Sequence, residues 1–132
     1  MKEVIDTRFL FEYFNSNDSH TRERTFRKLE HLTSRNEGIL PTIAIAEIVQ
    51  ATCEQRGKDM AESRYQALIQ SGLEIQNLTP QIAQQAGLYK SANKNLPMGD
   101  CLIAATALLN HAKILSDNTH FDVIDEVKRV WI

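Results

Sequence analysis

Four positions in the sequence carry side chains suited to chemistry. Asp6 follows the apolar pair Val4-Ile5, and Ser116-Asp117-Asn118 follows Ile114-Leu115. Asp100 precedes a nearly all-apolar run from Cys101 to His111. Glu47 is the only charge within Ile43-Ala44-Ile45-Ala46-Glu47-Ile48-Val49. Each has a simpler reading on its own. Asp6 and Asp100 suit helix caps, Asp117 and Asn118 suit turns, and Glu47 suits the solvent edge of a buried stripe. Glu47 resists its simple reading most, because a carboxylate among apolar neighbours needs a cation, a proton or a hydrogen-bond donor. Taken together, three or four acids brought to one place repel one another, and a cation between them makes the arrangement tolerable. Hard oxygen donors suit Mg²⁺ or Mn²⁺. Such a metal cluster activates water for phosphodiester hydrolysis and stabilises the leaving oxygen.

The elements that would bring these residues together are short strands alternating with helices. Strands are expected near residues 2–6, 38–41, 73–76, 113–116 and 127–131. An aromatic helix containing Phe9 to Phe14 follows the first strand, and a charged helix follows it, with Phe26, Leu29 and Leu32 on one side. Thr42 is expected to cap a helix over 43–56, and a further helix spans 58–70 before Ser71-Gly72. Thr79-Pro80 opens another, turning Ile82, Ala83, Ala86 and Tyr89 to the core. Asp100 is expected to open the last long helix. This alternation predicts an open parallel sheet covered on both faces, whose ligand site lies beyond the carboxyl ends of the strands. Asp6 and Ser116-Asp117-Asn118 fall at two of those ends.

The 132 residues suit a single domain over 1–132. No apolar run approaches the ~18 residues of a membrane span, and the first residues do not resemble a signal peptide. Cys53 and Cys101 have no CxxC spacing, so both are expected as reduced, buried thiols in a cytoplasmic protein. With 15 basic and 17 acidic residues the net charge is −2, so a nucleic-acid partner must be met by local positive charge. Arg22, Arg24, Arg27 and Lys28 form the densest basic stretch, interleaved with acids as on a solvated helix face. The four histidines are scattered and lack metal-ligand spacing. A phospho-receiver domain would need a second acid beside Asp6 and an acceptor Asp after the third strand, where Gln76-Asn77-Leu78 stands instead.

Four segments in order carry a family resemblance: Val4-Ile5-Asp6-Thr7, Thr42 to Ile48, Gly99-Asp100-Cys101-Leu102-Ile103-Ala104-Ala105-Thr106-Ala107, and Ile114 to Phe121. They resemble the PIN domain, and their spacing is similar to the VapC-type toxins of prokaryotic toxin–antitoxin pairs. The resemblance implies a three-layer α/β/α domain with a five-stranded parallel sheet and the first strand central. It implies an endoribonuclease using Mg²⁺ or Mn²⁺, an RNA substrate, an antitoxin partner and a homodimer built on the helices of residues 43–56 and 58–70 and the helix after them. Carried over by position, Asp6 and Asp100 are the metal ligands and Glu47 completes the acidic triad. The fourth polar position falls on Asp117 or Asn118, with Thr7 and Ser116 supporting the ligands.

Two positions depart from the family pattern. Arg8 stands where Asn or Ser is usual, and is expected either to pair with Asp6 in competition with metal or to contact an RNA phosphate. Asn118 stands where many members have Asp. Both lower the negative charge of the site. The alternative reading is a catalytically weakened PIN fold that works by binding a protein partner.

Overall fold

A computed structural model describes residues 1–132. The strands are β1 (Glu3–Ile5), β2 (Gly38–Pro41), β3 (Glu74–Gln76), β4 (Lys113–Leu115) and β5 (Arg129–Val130). The helices are α1 (Thr7–Asn15), α2 (Ser19–Ser34), α3 (Thr42–Arg56), α4 (Lys58–Ile69), α5 (Pro80–Ala92) and α6 (Met98–Leu109), and a 3₁₀ turn spans Thr119–Val123. Every strand pairing is parallel, in the order β3-β2-β1-β4-β5, so β1 is central as expected.

Successive strand residues point to opposite faces, and that alternation divides the core in two. Val4, Ile39 and Ile114 face one layer with Ile82, Tyr89, Ile103 and Phe121. Ile5, Leu40 and Leu115 face the other with Phe9, Leu10, Ile48 and Leu68. The three central strands are therefore apolar at both positions, as a sheet covered on both sides requires. In register, Val4 lies between Ile39 and Ile114, which aligns the ends of β1 and β4.

Local chemistry accounts for where several elements differ from the sequence reading. Thr42 does not cap α3; it is the first helical residue, and Pro41 precedes it without a side-chain cap bond. Likewise α6 starts at Met98 after Pro97, so Asp100 sits within its first turn, where a negative charge suits the helix dipole. Thr79 does cap α5, its hydroxyl accepting from Ile82 N–H at 3.2 Å, with Pro80 at the first position. Ala83 lies on the exposed side of that helix, and Phe26 is half exposed on α2, where its ring meets Tyr13 at 4.8 Å between centroids. β5 is shorter than expected at both ends: Val127 still belongs to the bend before it, and Trp131 and Ile132 leave the ladder to pack on the α1 side, where the Trp131 ring meets Phe9 edge-on at 6.2 Å. Cys101 is buried as expected, but Cys53 is only half-buried; both are free thiols. No helix is long and apolar enough to cross a membrane.

Candidate active site

A cleft of about 350 Å³ opens beyond the carboxyl ends of β1 and β4. Asp6, Glu47, Asp100 and Asn118 line it, together with Thr7 and Arg8. Four segments supply these side chains. Asp6 is the residue after β1 and also the N-cap of α1, accepting from the Arg8 backbone N–H at 3.4 Å. Asp6 therefore caps α1 and lines the cleft at once. Glu47 comes from α3, Asp100 from the first turn of α6, and Asn118 from the segment after β4.

One run of hydrogen bonds ties the two aspartates together. Ser116 is fully buried, and its hydroxyl donates to Asp6 Oδ2 at 2.6 Å. The same hydroxyl accepts from Asn118 N–H at 3.0 Å. The Asn118 amide then donates to Asp100 Oδ2 at 3.3 Å. Glu47 is fixed separately, its Oε1 accepting from the Thr7 hydroxyl at 2.6 Å. Glu47 is thus half-buried at the cleft, bonded on one oxygen, rather than solvated on a far face.

Burial raises both aspartates. The Asp6 carboxyl, 2% exposed, is pushed up to about 6, chiefly by desolvation, with the Asp100 charge adding and the Ser116 hydrogen bond opposing. Asp100 is raised by burial first and by Glu47 second, with His120 and Asn118 pulling it back. Repulsion between the acids is present as expected from the sequence, but desolvation is the larger cause.

Asp117 is not among the residues lining the cleft. Ser116 and Asn118 face the aspartates, and Asp117 between them turns the other way, as alternation along extended chain dictates. There it takes a forked pair from Arg8, Nε to Oδ1 at 3.0 Å and Nη2 to Oδ2 at 3.3 Å. The side-chain partner of Arg8 is therefore Asp117 and not Asp6, which corrects the expected pairing. Of the two candidates for the fourth position, Asn118 lines the cleft and Asp117 does not.

The sequence reading gives no role to Gln50 and Glu54 of the cleft wall, and quotes Gly99 only as part of a motif. Gly99 lies against Glu47, and a Cβ there would stand 2.8 Å from Glu47 Oε2. Gln50 and Glu54 continue the Glu47 face of α3 along the cleft, with Gln50 donating to Glu54 Oε1 at 3.0 Å. Their spacing of three and seven from Glu47 was the available signal.

The donor set suits a hard divalent cation. It is all oxygen, and the protein hydrogen bonds on Asp6 and Asp100 fall on Oδ2, leaving Oδ1 of each for a ligand. No group of three His, Cys, Asp or Glu side chains is drawn together closely enough to hold a metal. Mg²⁺ is ordinarily held by one or two carboxylates while keeping several waters, so a pair of aspartates fits it.

Comparison with known proteins agrees with this architecture. The family model for the PIN domain matches residues 4–127. The chain is similar to the structure of VapBC2 from Rickettsia felis bound to a DNA fragment from its promoter, with TM-score 0.81 and 19% identity, covering 100% of this chain and 99% of that one. DNA-bound VapBC from Salmonella typhimurium gives 0.80 and 20%, covering 99% and 98%. VapC20 from Mycobacterium tuberculosis, described as a toxin that cleaves the sarcin-ricin loop, gives 0.74 and 12%, covering 92% and 94%. No curated protein sequence matches the chain.

Proposed function

The chain belongs to the PIN-domain family, and from that premise we propose that it is a Mg²⁺- or Mn²⁺-dependent endoribonuclease, the toxin of a toxin–antitoxin pair. The observation that carries this reading is the pair Asp6 and Asp100, two desolvated carboxylates that repel each other across one cleft. Both are held on Oδ2, with Oδ1 left for a ligand. A cation bound there supplies an acidified water and charge stabilisation at the leaving oxygen.

The residues of the chain divide the remaining work. Asp6 and Asp100 hold the cation, and Ser116 and Asn118 fix their orientation. Glu47, anchored through Oε1 by Thr7, keeps Oε2 to accept a hydrogen bond from the attacking water. Asn118 leaves the site one charge short of an all-acid set, and this favours binding of an anionic phosphodiester.

Two surfaces support the proposed partners. A groove of about 790 Å³ between α1, α2 and α4, with Tyr13, Phe14, Phe26 and Leu68 beside Arg22, Glu23, Arg27 and Glu30, suits an antitoxin segment. The α3–α4 face carries Ile45, Val49 and Tyr65 around a second hollow of about 600 Å³ and suits a homodimer contact. Two free thiols accord with a cytoplasmic protein.

The test is metal-dependent cleavage of a single-stranded RNA pool by the wild-type chain, Asp6→Asn and Asp100→Asn. Cleavage by wild type with Mn²⁺, lost in both variants and on chelation, supports the nuclease. Equal residual activity in wild type and Asp100→Asn means a contaminating nuclease and transfers the reading to the partner-binding module.

A further inference from the structure

We infer that Arg8, seated by Asp117, is the residue that grips a backbone phosphate of the RNA; the assignment rests on the nuclease reading and deepens it. Four carboxylates line the cleft, those of Asp6, Glu47, Glu54 and Asp100. A polyanionic strand entering it meets repulsion, and Arg8 is the only cationic side chain in the lining. A metal at Asp6 and Asp100 offsets two of the acids and leaves Glu47 and Glu54. Within the lining, the protein's own positive charge comes from Arg8 alone.

Its geometry suits that task. The Arg8 side chain is 56% exposed and the Asp117 side chain 33% exposed, so the pair sits at the rim and not in the core. A guanidinium has five N–H groups. Two of Arg8's are taken by Asp117, through Nε and Nη2. That leaves three, including both on Nη1, for a planar phosphate contact. The fork fixes the guanidinium plane before substrate arrives, which lowers the ordering cost of binding.

The neighbouring side chain favours a nucleic acid over an acidic protein segment. Phe11 lies three residues on from Arg8, on the same face of α1, and lines the same cleft. A cation followed by an aromatic ring is the arrangement that tracks phosphate and base in turn along a single strand.

The test is binding of a fluorescein-labelled single-stranded RNA by the full-length chain in chelator, read by fluorescence anisotropy over a range of KCl concentrations. Wild type, Arg8→Ala and Arg8→Lys are compared, with circular dichroism to verify folding. Arg8→Ala should bind about tenfold more weakly, as for loss of a charged hydrogen-bonded contact. Its log–log salt slope should flatten by ~0.7, the share of one phosphate contact on a single strand. Arg8→Lys keeps the charge and should keep the wild-type slope with only part of the affinity. Equal affinity and slope in wild type and Arg8→Ala overturn the assignment, as does failure of wild type to bind RNA. Unchanged RNA binding with tighter Mn²⁺ binding in Arg8→Ala, read by calorimetry, overturns it in favour of competition with metal. Adding Mn²⁺ to the same samples separates the two readings. A chain that binds through Arg8 but never cleaves loses the nuclease reading alone, and cleavage by Arg8→Ala with wild-type KM removes the Arg8 assignment alone.

Discussion

Gly99 turns the bare side of its Cα to the carboxylate of Glu47, at a separation where a Cβ would lie 2.8 Å from Oε2 and 3.4 Å from Cδ. Gly99 lies within the first turn of α6, so the need is for room and not for unusual backbone. Gly99→Ala should push Glu47 aside and break its bond with Thr7. A displacement of about 1 Å at a reacting group costs on the order of a hundredfold in rate. Cleavage by Gly99→Ala should fall by about that factor, with a melting temperature within a few degrees of wild type. A variant with wild-type kcat would show that Glu47 can move without consequence.

Asp6→Asn should abolish cleavage and also stabilise the metal-free protein at neutral pH. Raising the Asp6 pKa from 3.8 to about 6 corresponds to roughly 3 kcal/mol of penalty on the charged form. Part of the relief is offset, because the Ser116 bond to a neutral amide is weaker than to a carboxylate. A net gain of about 1–2 kcal/mol at pH 7 is expected from urea denaturation. Destabilisation would show that the Ser116 bond outweighs the desolvation.

The same carboxyl sets a pH signature. Its pKa is higher in the folded chain than the ordinary 3.8, so the folded state holds the proton more tightly. The resulting stabilisation is fully present below pH 3.8 and is lost as pH rises through about 6. In metal-free buffer the stability difference between Asp6→Asn and wild type should therefore widen over that interval and level off above it. A constant difference would place the Asp6 pKa at its ordinary value.

The α3–α4 face leaves Tyr65 36% exposed beside Val49. Sedimentation should give a dimer at micromolar concentration, and Val49→Glu should give a monomer with an unchanged circular dichroism spectrum. A wild-type monomer under those conditions would count against the proposed contact.

Much of this arrangement is legible in the sequence, for physical reasons. Val4-Ile5, Ile39-Leu40 and Ile114-Leu115 are apolar at consecutive positions, which marks strands buried on both faces and locates the strand ends carrying Asp6 and Ser116. Glu47 stood out because its neighbours are apolar. The choice between Asp117 and Asn118 was not legible, since it depends on which way each side chain turns after β4. Nor was the partner of Arg8, which lies 109 positions away. Gly99 is visible in the sequence only as part of a motif; its part is to leave space beside Glu47, and an absent side chain carries no chemical signal.

The buried hydroxyl of Ser116 and the amide of Asn118 reach Asp6 and Asp100 respectively, so two acids from distant parts of the chain share one short anchor. A substitution at Ser116 or Asn118 therefore changes how one carboxylate is held relative to the other. In the nuclease proposed above, preference for a smaller or larger cation would then drift by substitution at Ser116 or Asn118 with neither aspartate altered. This tripeptide is where natural variation could retune the site while leaving its chemistry in place.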